Sequence, residues 1–483
     1  MVEKHDPVGV PTDRGRALRR VQQLITRYPW LSKDELELCF VGSVALYEAC
    51  LRNGLPLPPE PRDLDLAWKL DPAAGRSFLG SLGISAEGSR GTEARGTIGA
   101  KLGEQWVEFT TYRAGGGDLD SRIAKDASLR DMTIGAVFWR LSDNEILDPM
   151  NGVGDWKRGV INACGLPEER IREHPVRALR YLRKAVSLGF YLDPGTRRAI
   201  RSNAAEIAAG VLPEALSQEL RRVLASCSSP GVFFQMCHEE KLLVEILPEI
   251  APVFDGRPAG RFRHHPEISQ ALHMILALST ATRIAERAGL AESERVRLLL
   301  GVLGHDLGKG LTPRGDLPSH PGHEAGGRDP IEKLFERVPG LGGRRTRRLC
   351  IACAKTHLLL GQLRSLKPGT LIDLYDSTLV DLRDDFRVLA RVVRSDREGR
   401  LRPGVVGFPA APQRAFEPDY EKLEERIHRQ LAELDRIVRS VSGEESQQLF
   451  PGDPAALRAH LREARCRALK VSGFLDPSAR RKG

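Results

Sequence analysis

Strand-like segments in this 483-residue chain are concentrated between residues 36 and 113. In that region LELCFVGSVALYEACL predicts a strand, a glycine turn and a helix, while DLDLAW, GTIGAKL and QWVEFTTY are short runs rich in β-branched and aromatic residues. From about residue 126 onward apolar residues recur at helical spacing, as in YEKLEERIHRQLAELDRIVRSV. We therefore expect an α+β chain, with a small α/β head followed by an elongated all-helical body.

Changes in this pattern, together with Pro- and Gly-rich joints, predict five stretches. They are a helical arm over 1–35, the head over 36–160, a helical region over 161–255, a second helical domain over 256–400 and a helical tail over 401–483. No window approaches the roughly eighteen apolar residues of a membrane span. The first residues lack the apolar run of a secretory signal, so we expect a cytoplasmic protein with no membrane partner.

An excess of arginine gives the chain a net charge of +9. Such a surplus suits a polyanionic partner, because neutralising phosphates releases counterions and steers encounter. Composition alone does not distinguish a surface that binds a polyanion from helix faces whose arginines are merely solvated.

Asp63 and Asp65 lie two residues apart in a predicted strand, so their side chains face the same way. Two such carboxylates repel each other unless they share a divalent cation, and hard oxygen ligands are what Mg²⁺ takes. Glu108, on a later predicted strand, offers the third carboxylate of a two-metal site. Upstream, Gly42 and Ser43 stand between a strand and a helix, where backbone N–H groups can hold phosphate.

The helical body holds a second group of residues that suggest chemistry. His305 and Asp306 are adjacent in an apolar segment, where both side chains must be ligated or hydrogen-bonded. Further imidazoles supply the nitrogen ligands that a transition metal prefers, namely His273, His320, His323 and His357. Any one of them reads equally well as an ordinary core or surface histidine. Together they predict a metal site.

The order of these pieces resembles the bacterial class II tRNA nucleotidyltransferase and poly(A) polymerase family. After the glycine turn, the Asp-x-Asp pair and the Glu-bearing strand come LRDMTIGAVF, ILDPMNGVGDWKRG and REHPVRALRYLRKAVSLGFYLD. In the body, GHDLGKGLTP followed by GHEAGG resembles the HD phosphohydrolase domain of multifunctional CCA-adding proteins, the closest likeness within the family. The resemblance implies nucleobase recognition and a neck over 161–255, an HD domain over 256–400 and RNA binding by the tail.

For the head, the resemblance implies a nucleotidyltransferase that uses Mg²⁺ to transfer nucleotides from CTP and ATP to the 3′ hydroxyl of tRNA or another RNA. Asp63 and Asp65 match the catalytic metal-binding pair, with Glu108 as the third carboxylate. The implied nucleotide-binding residues are Gly42, Ser43, Arg130, Asp131, His174, Arg177 and Arg180.

Several positions depart from the family pattern. Leu46 and Tyr47 stand where the family has Arg and Asp, Gly135 replaces an asparagine, and His174 replaces the aspartate of the base-reading pair. A carboxylate accepts hydrogen bonds from the amino groups of cytosine and adenine, whereas a neutral imidazole offers one acceptor and one donor. Either the pocket selects nucleotides differently, or polymerisation has weakened or been lost while the metal carboxylates remain.

For the body, the resemblance implies a phosphohydrolase of 2′,3′-cyclic phosphates or phosphomonoesters that uses a divalent transition metal such as Ni²⁺, Mn²⁺ or Fe²⁺. The implied metal set is His273, His305, Asp306 and Asp396. His323 and His357 extend it to a second ion or hold the phosphate, and Lys309 is a phosphate contact.

Three functions follow as alternatives. The first is a CCA-adding enzyme with an auxiliary hydrolase. The second is a hydrolase whose head has altered nucleotide choice or is inactive, and the third is a poly(A) polymerase. The sequence leaves the oligomeric state open.

Overall fold

The computed structural model describes residues 15–88, 93, 96–113, 116–401 and 419–476. Residues 1–14 of the predicted arm, and 402–418 and 477–483 of the predicted tail, lie outside the described residues. The chain divides into two compact units, residues 1–210 and 211–483, so the predicted region 161–255 contributes to both. The first unit carries the sheet and the second is helical, which confirms the predicted α+β class.

Seven described strands form the sheet of the first unit: β1 (Cys39–Val41), β2 (Leu64–Trp68), β3 (Ala86–Glu87), β4 (Thr97–Leu102), β5 (Gln105–Thr111), β6 (Phe138–Arg140) and β7 (Ile146–Leu147). Their order is β3-β4-β5-β2-β1-β6-β7, with β2 and β5 parallel and the other neighbours antiparallel. A separate parallel pair joins β8 (Val160–Ile161) to β9 (Tyr191–Leu192). The strands predicted between residues 36 and 113 are confirmed. The sequence did not predict β6 and β7, because runs so short show no alternation of apolar and polar residues.

The helices of the first unit are α1 (Arg16–Arg27), α2 (Ser43–Arg52), α3 (Pro72–Ser81), α4 (Leu119–Ser128), α5 (Gly152–Arg158), α6 (Pro167–Glu173), α7 (Val176–Leu188), α8 (Pro194–Ser202) and α9 (Ala204–Gly210). Their starts follow local chemistry. Asp71, Asp118 and Asp193 precede α3, α4 and α8, and each side chain accepts hydrogen bonds from backbone N–H groups of the first turn.

The two faces of the sheet differ in what covers them. On one face Trp68 of β2 packs against Phe109 of β5, with ring centroids 4.7 Å apart. On the other face Ala67 is buried with Ile123 and Ala127 of α4. Asp65 lies two residues before Ala67 on this second face and is only partly buried.

The helices of the second unit are α10 (Pro213–Ser226), α11 (Pro230–Glu239), α12 (Leu242–Ile246), α13 (Gln270–Arg287), α14 (Glu292–Gly304), α15 (His323–Gly326), α16 (Arg328–Arg337), α17 (Arg344–Leu360), α18 (Pro368–Leu374), α19 (Phe386–Glu398), α20 (Tyr420–Arg439), α21 (Glu444–Leu449) and α22 (Pro454–Val471). Its centre is formed by α13, α14, α17 and α19, which pack against one another. Gly301 and Gly304 of α14 face Cys353 and Cys350 of α17, so these two cysteines are small buried side chains at a close helix contact. Among the described helices, none combines the length and the apolar character needed to cross a membrane.

Two glycines of the first unit test how tightly it packs. A Cβ on Gly152 would lie 2.1 Å from the backbone oxygen of Thr133, whereas a Cβ on Gly80 of α3 would meet nothing within 4 Å. We expect Gly152→Ala to lower the free energy of unfolding by about 1–3 kcal/mol through overpacking. Gly80→Ala should raise it by up to about 1 kcal/mol, because alanine restricts the unfolded chain. All five tryptophans lie within residues 30–156, so fluorescence-detected urea unfolding reports on this unit. Equal effects of the two substitutions would contradict the packing described here.

Candidate functional site

The parallel pairing of β2 with β5 places Asp65 directly opposite Glu108. Residues aligned in neighbouring strands project to the same face of a sheet, so the two carboxylates are neighbours. Asp63 immediately precedes β2 and is exposed, as is Glu108. Burial, Glu108 and Asp63 together raise the pKa of Asp65 to about 6. The three carboxylates predicted from the sequence therefore repel one another at one place.

This concentration of negative charge fits a divalent cation. Carboxylate oxygens are the donors that Mg²⁺ takes, and a bound cation would relieve the repulsion that raises the pKa of Asp65. These side chains are not tightly gathered: among the described residues, the ligand groups whose atoms all lie within 4.8 Å of one another belong to the second unit.

The glycine turn before α2 contributes less than the sequence predicted. Gly42 has φ +66, a conformation that favours glycine, and its N–H donates to the carbonyl of Val137 at 3.0 Å. Any phosphate bound at this turn would therefore meet Ser43 and the amides that follow it at the start of α2. Leu46 and Tyr47 are both buried, so α2 presents no cation at these positions.

Arg130 brings positive charge to the carboxylates. Its Nε donates to Asp126 Oδ2 at 2.9 Å, and its guanidinium lies 4.8 Å from the centroid of the Phe138 ring on β6. The positive charge of Arg130 also counters the rise in the pKa of Asp65. The predicted Arg-Asp motif therefore borders the acidic cluster.

Asp131 is held by two arginines of α7. Arg177 Nε donates to Asp131 Oδ1 at 2.7 Å and Arg180 donates to Oδ2 at 2.6 Å. Burial opposes ionisation, but these two guanidiniums hold the pKa of Asp131 below its ordinary value. Arg177 is buried and also donates to Glu173 and to the carbonyl of Arg170, so its hydrogen bonds are used inside the protein.

His174 lies between α6 and α7, just before the helix that carries both arginines, and its side chain is exposed. Partial burial and the charge of Arg177 lower the pKa of His174, which keeps the imidazole neutral near pH 7. At this place a neutral ring offers one hydrogen-bond donor and one acceptor. Of the three residues predicted here to meet a base, His174 is exposed, Arg180 is partly exposed and Arg177 is buried.

The second unit brings its predicted metal ligands together from several helices. His273 lies on α13, His305 and Asp306 directly follow α14, and Asp396 lies on α19. His273 Nε2 is 3.5 Å from Asp306 Oδ2 and 3.3 Å from Asp396 Oδ1, and His305 Nε2 is 3.2 Å from Asp306 Oδ2. All four side chains are buried.

His323 and His357 approach the other oxygen of Asp306. Their Nε2 atoms lie 3.6 and 3.7 Å from Asp306 Oδ1. Asp306 therefore separates two ligand groups, one formed by His273, His305 and Asp396 and the other formed with His323 and His357.

Three histidines of this centre have one ring nitrogen bound to the backbone. The Nδ1 atoms of His305, His323 and His357 lie 2.5, 2.7 and 2.9 Å from the carbonyls of Val302, His320 and Ala354. A carbonyl only accepts, so Nδ1 carries the proton and Nε2 keeps its lone pair for a ligand.

Several atoms of this centre are buried without a hydrogen-bond partner: Nε2 of His273, His305 and His323, and Oδ1 of Asp306. Buried polar atoms without partners are rare because each loses its hydration. Nitrogen lone pairs converging with carboxylate oxygens therefore fit a divalent transition metal.

Charge balance supports this reading. Burial alone would raise the pKa of Asp306, but His305 and Lys309 hold it well below the ordinary value. Arg400 does the same for Asp396, donating to Oδ1 at 2.8 Å. Burial and His305 lower the pKa of His357 to about 4, so this ring is neutral and able to ligate.

Lys309, predicted to contact phosphate, is engaged within the protein. Its Nζ lies 2.8 Å from Asp306 Oδ2 and donates to the carbonyl of Ala259 at 2.8 Å. His320 is excluded as a ligand, because Nδ1 meets Thr312 Oγ1 at 2.9 Å and Nε2 meets the carbonyl of Pro258 at 2.8 Å.

Sequence reasoning missed the residues that support the centre. Glu267 Oε1 lies 2.9 Å from His273 Nδ1 and 2.8 Å from His265 Nδ1, and Gln270 donates to Asp306 Oδ2 at 3.1 Å. Arg400 forms the pair with Asp396. One sequence signal existed, since HHPEISQALH places two polar residues that are seldom buried shortly before a predicted ligand.

Residues 50–162 match the family described as Poly A polymerase head domain. The chain is 32% identical over 324 residues to the "Multifunctional CCA protein" of Xanthomonas euvesicatoria pv. vesicatoria (strain 85-10), covering 64% of this chain and 75% of that protein. It is 33% identical over 326 residues to the protein of the same name from Xanthomonas axonopodis pv. citri (strain 306), again covering 64% and 75%.

Among solved structures, the Bacillus stearothermophilus CCA-adding enzyme in complex with CTP has a similar fold. It aligns with a TM-score of 0.57 and 17% identity, covering 94% of this chain and 93% of that one. At this identity the likeness concerns the fold.

Repulsion around Asp65 predicts a pH-dependent stability. Folding raises the pKa of Asp65 from its ordinary 3.8 to about 6, so its ionisation destabilises the fold as the pH rises from about 4 to about 6. Without divalent cations, Asp65→Asn should therefore stabilise the first unit at pH 7.5 by about 1–2 kcal/mol, with allowance for solvent screening. At pH 4 the two proteins should be alike, and Mg²⁺ should stabilise only the wild type. The measurement is urea unfolding followed by tryptophan fluorescence. A destabilised Asp65→Asn at pH 7.5 would contradict the repulsion.

Proposed function

This chain belongs to the multifunctional CCA protein family, and on that premise we propose that its head transfers nucleotides from CTP and ATP to the 3′ hydroxyl of tRNA. One observation carries the proposal: β2 and β5 pair in the register that sets Asp65 against Glu108, beside Asp63 and Arg130. Relatives named for CCA addition, and a fold shared with an enzyme solved with CTP, support it.

The proposed reaction assigns a task to each side of the acidic cluster. Mg²⁺ bound by Asp63, Asp65 and Glu108 would supply the positive charge that activates the attacking hydroxyl and neutralises the triphosphate. Arg130 adds a fixed cation next to these carboxylates, held in place by Asp126 and the Phe138 ring. The amides at the start of α2 offer a further phosphate contact.

Base selection is assigned to the exposed edge of α7. Arg177 acts as a positioning residue, because it is buried and spends its donors on Asp131, Glu173 and a backbone carbonyl. Arg180 and His174 are the residues that can hydrogen-bond an incoming base. With a neutral imidazole in place of a carboxylate, discrimination for cytosine and adenine is expected to be weaker than the family pattern implies.

We further propose that the second unit is a metal-dependent phosphohydrolase of 2′,3′-cyclic phosphates or phosphomonoesters. A divalent ion held by His273, His305, Asp306 and Asp396 would supply the Lewis acid for attack by water on phosphorus. His323 and His357 would hold a second ion or the substrate phosphate at the other oxygen of Asp306. Lys309 neutralises Asp306 and leaves little capacity for a phosphate.

A second candidate function is favoured by one observation. Leu46 and Tyr47 are buried, so the cation that the family carries on α2 is absent. If the head does not polymerise, the hydrolase is the main activity and the head binds RNA.

Substitution of one ligand in each unit tests the assignment. We expect Asp63→Ala to abolish incorporation of labelled CMP or AMP into tRNA lacking its CCA end, while hydrolysis of a 2′,3′-cyclic phosphate persists. His305→Ala should abolish hydrolysis of the cyclic phosphate and leave incorporation intact. It should also lower the content of tightly bound transition metal measured by mass spectrometry.

Matched controls are Glu206→Ala, an exposed carboxylate on α9, and His428→Ala on α20. Absence of incorporation by the wild-type protein with every nucleoside triphosphate would favour the second candidate. Full hydrolysis by His305→Ala would refute the metal assignment.

Exchange of the outward imidazole tests base selection. His174→Asp should raise the ratio of kcat/KM for CTP and ATP over UTP and GTP by about tenfold, because a carboxylate accepts from amino groups and rejects carbonyls. His174→Asn, of similar size and uncharged, is the control and should change the ratio little. An unchanged ratio in His174→Asp would show that this position does not meet the base. Single-turnover incorporation with each labelled triphosphate measures it.

A further inference from the structure

Trp106 differs from the other tryptophans of this chain. Its side chain is 48% exposed, whereas Trp30, Trp68, Trp139 and Trp156 are 9% exposed or less. A single exposed apolar side chain is ordinary on a protein surface, so the position of the Trp106 ring matters more than its exposure.

The ring stands on the face of the sheet that carries the catalytic carboxylates. Trp106 and Glu108 are two residues apart on β5, so they share that face. Continuing the parallel register of β2 and β5 by one residue aligns Trp106 with Asp63. The exposed ring therefore stands on the same strand and the same face as Glu108, whose partner in the register is Asp65.

Trp106 is supported from β4. The antiparallel register aligns Gly99 with Glu108 and Lys101 with Trp106. A Cβ on Gly99 would lie 2.1 Å from the indole, so the ring lies against the strand at a place that only glycine leaves open. Lys101, aligned with Trp106, has a 62% exposed side chain, and its Nζ lies 3.4 Å from Glu104 Oε2 in an exposed ion pair that a phosphate can replace.

Strand order separates this ring from the groups assigned to the triphosphate. The glycine turn at Gly42 follows β1, and Arg130 stacks on Phe138 of β6. Strands β1 and β6 lie on one side of β2. Trp106 and Lys101 lie on β5 and β4, on the other side of β2. The carboxylates of β2 stand between the two. In a transfer reaction the attacking hydroxyl and the triphosphate must approach the same metal-binding carboxylates from different sides.

We propose that Trp106 is a stacking platform for the 3′-terminal base of the RNA that is being extended, with Lys101 contacting its backbone. The inference rests on the proposed nucleotidyltransferase function and names its primer site. Stacking suits this task because every base has a π-face, and the terminal base changes after each addition. Charge complementarity with the phosphates comes from Lys101.

Intrinsic fluorescence tests the stacking directly. Titrating the wild-type protein with tRNA that lacks its CCA end should quench the emission of the one exposed tryptophan. The same tRNA with an abasic ribose at its 3′ end should bind with little quenching, because its phosphates remain and its terminal base is gone. Trp106→Phe should lose the quenching signal while keeping most of the affinity.

Kinetics test the contribution to the reaction. Trp106→Ala should raise KM for the RNA about tenfold or more and leave KM for CTP unchanged. The abasic RNA should show a similar rise with the wild-type protein and no further rise with Trp106→Ala, as expected of two partners in one interaction. Leu82→Ala, which also truncates an exposed apolar side chain in the first unit, should change neither value.

The alternative is that the indole only covers Gly99. In that case intact and abasic RNA would quench equally, and Trp106→Ala would lower stability without raising KM for the RNA. Either result overturns the platform. Quenching by intact RNA without incorporation of any nucleotide would support the platform and overturn the proposed transfer reaction.

Discussion

The pairing of β2 with β5 is the constraint on which the chemistry of the head depends. Side chains alternate between the two faces of a strand. If β2 shifted by one residue relative to β5, the side chain of Asp65 would point into the core and those of Leu64 and Leu66 would be exposed. The buried side of the sheet, where Trp68 packs on Phe109, holds the register that sets Asp65 beside Glu108. Hydrophobic packing on one face therefore holds carboxylates that repel one another on the other face. A bound cation would relieve that repulsion, so the same packing favours cation binding.

In the second unit, packing between helices likewise holds polar atoms in an unfavourable environment. Its centre gathers atoms that have lost their hydration without gaining a hydrogen bond, and each such atom costs about 1–3 kcal/mol. The close packing of α13, α14, α17 and α19 holds them there, and backbone carbonyls orient the rings of His305, His323 and His357. Metal binding to such a site contributes to folding, because it satisfies groups that the unfolded chain leaves to water.

Residue type alone does not show which hydrogen bonds a side chain or amide already makes inside the protein. Arg177 has the fork that suits base reading, but its burial beneath Asp131 and Glu173 makes it a support for the residues around it. Gly42 has the flexibility of a phosphate-binding turn, but its amide completes the sheet by bonding Val137. Lys309 similarly neutralises a neighbouring carboxylate. In each case an acceptor brought near by folding takes up the donor. The linear sequence does not show which acceptors will be near.

From the sequence alone one could predict the α+β class, the strands between residues 36 and 113, and the acidic and histidine residues that stand at both centres, because period and residue chemistry are local properties. Only the tertiary structure decided that β6 and β7 join the sheet, that Glu267 and Arg400 support the histidine centre, and that Trp106 stands exposed on the strand that carries Glu108. These features depend on which strands and helices become neighbours. That choice is made by packing between segments far apart in the chain, where spacing along the sequence carries no information about distance.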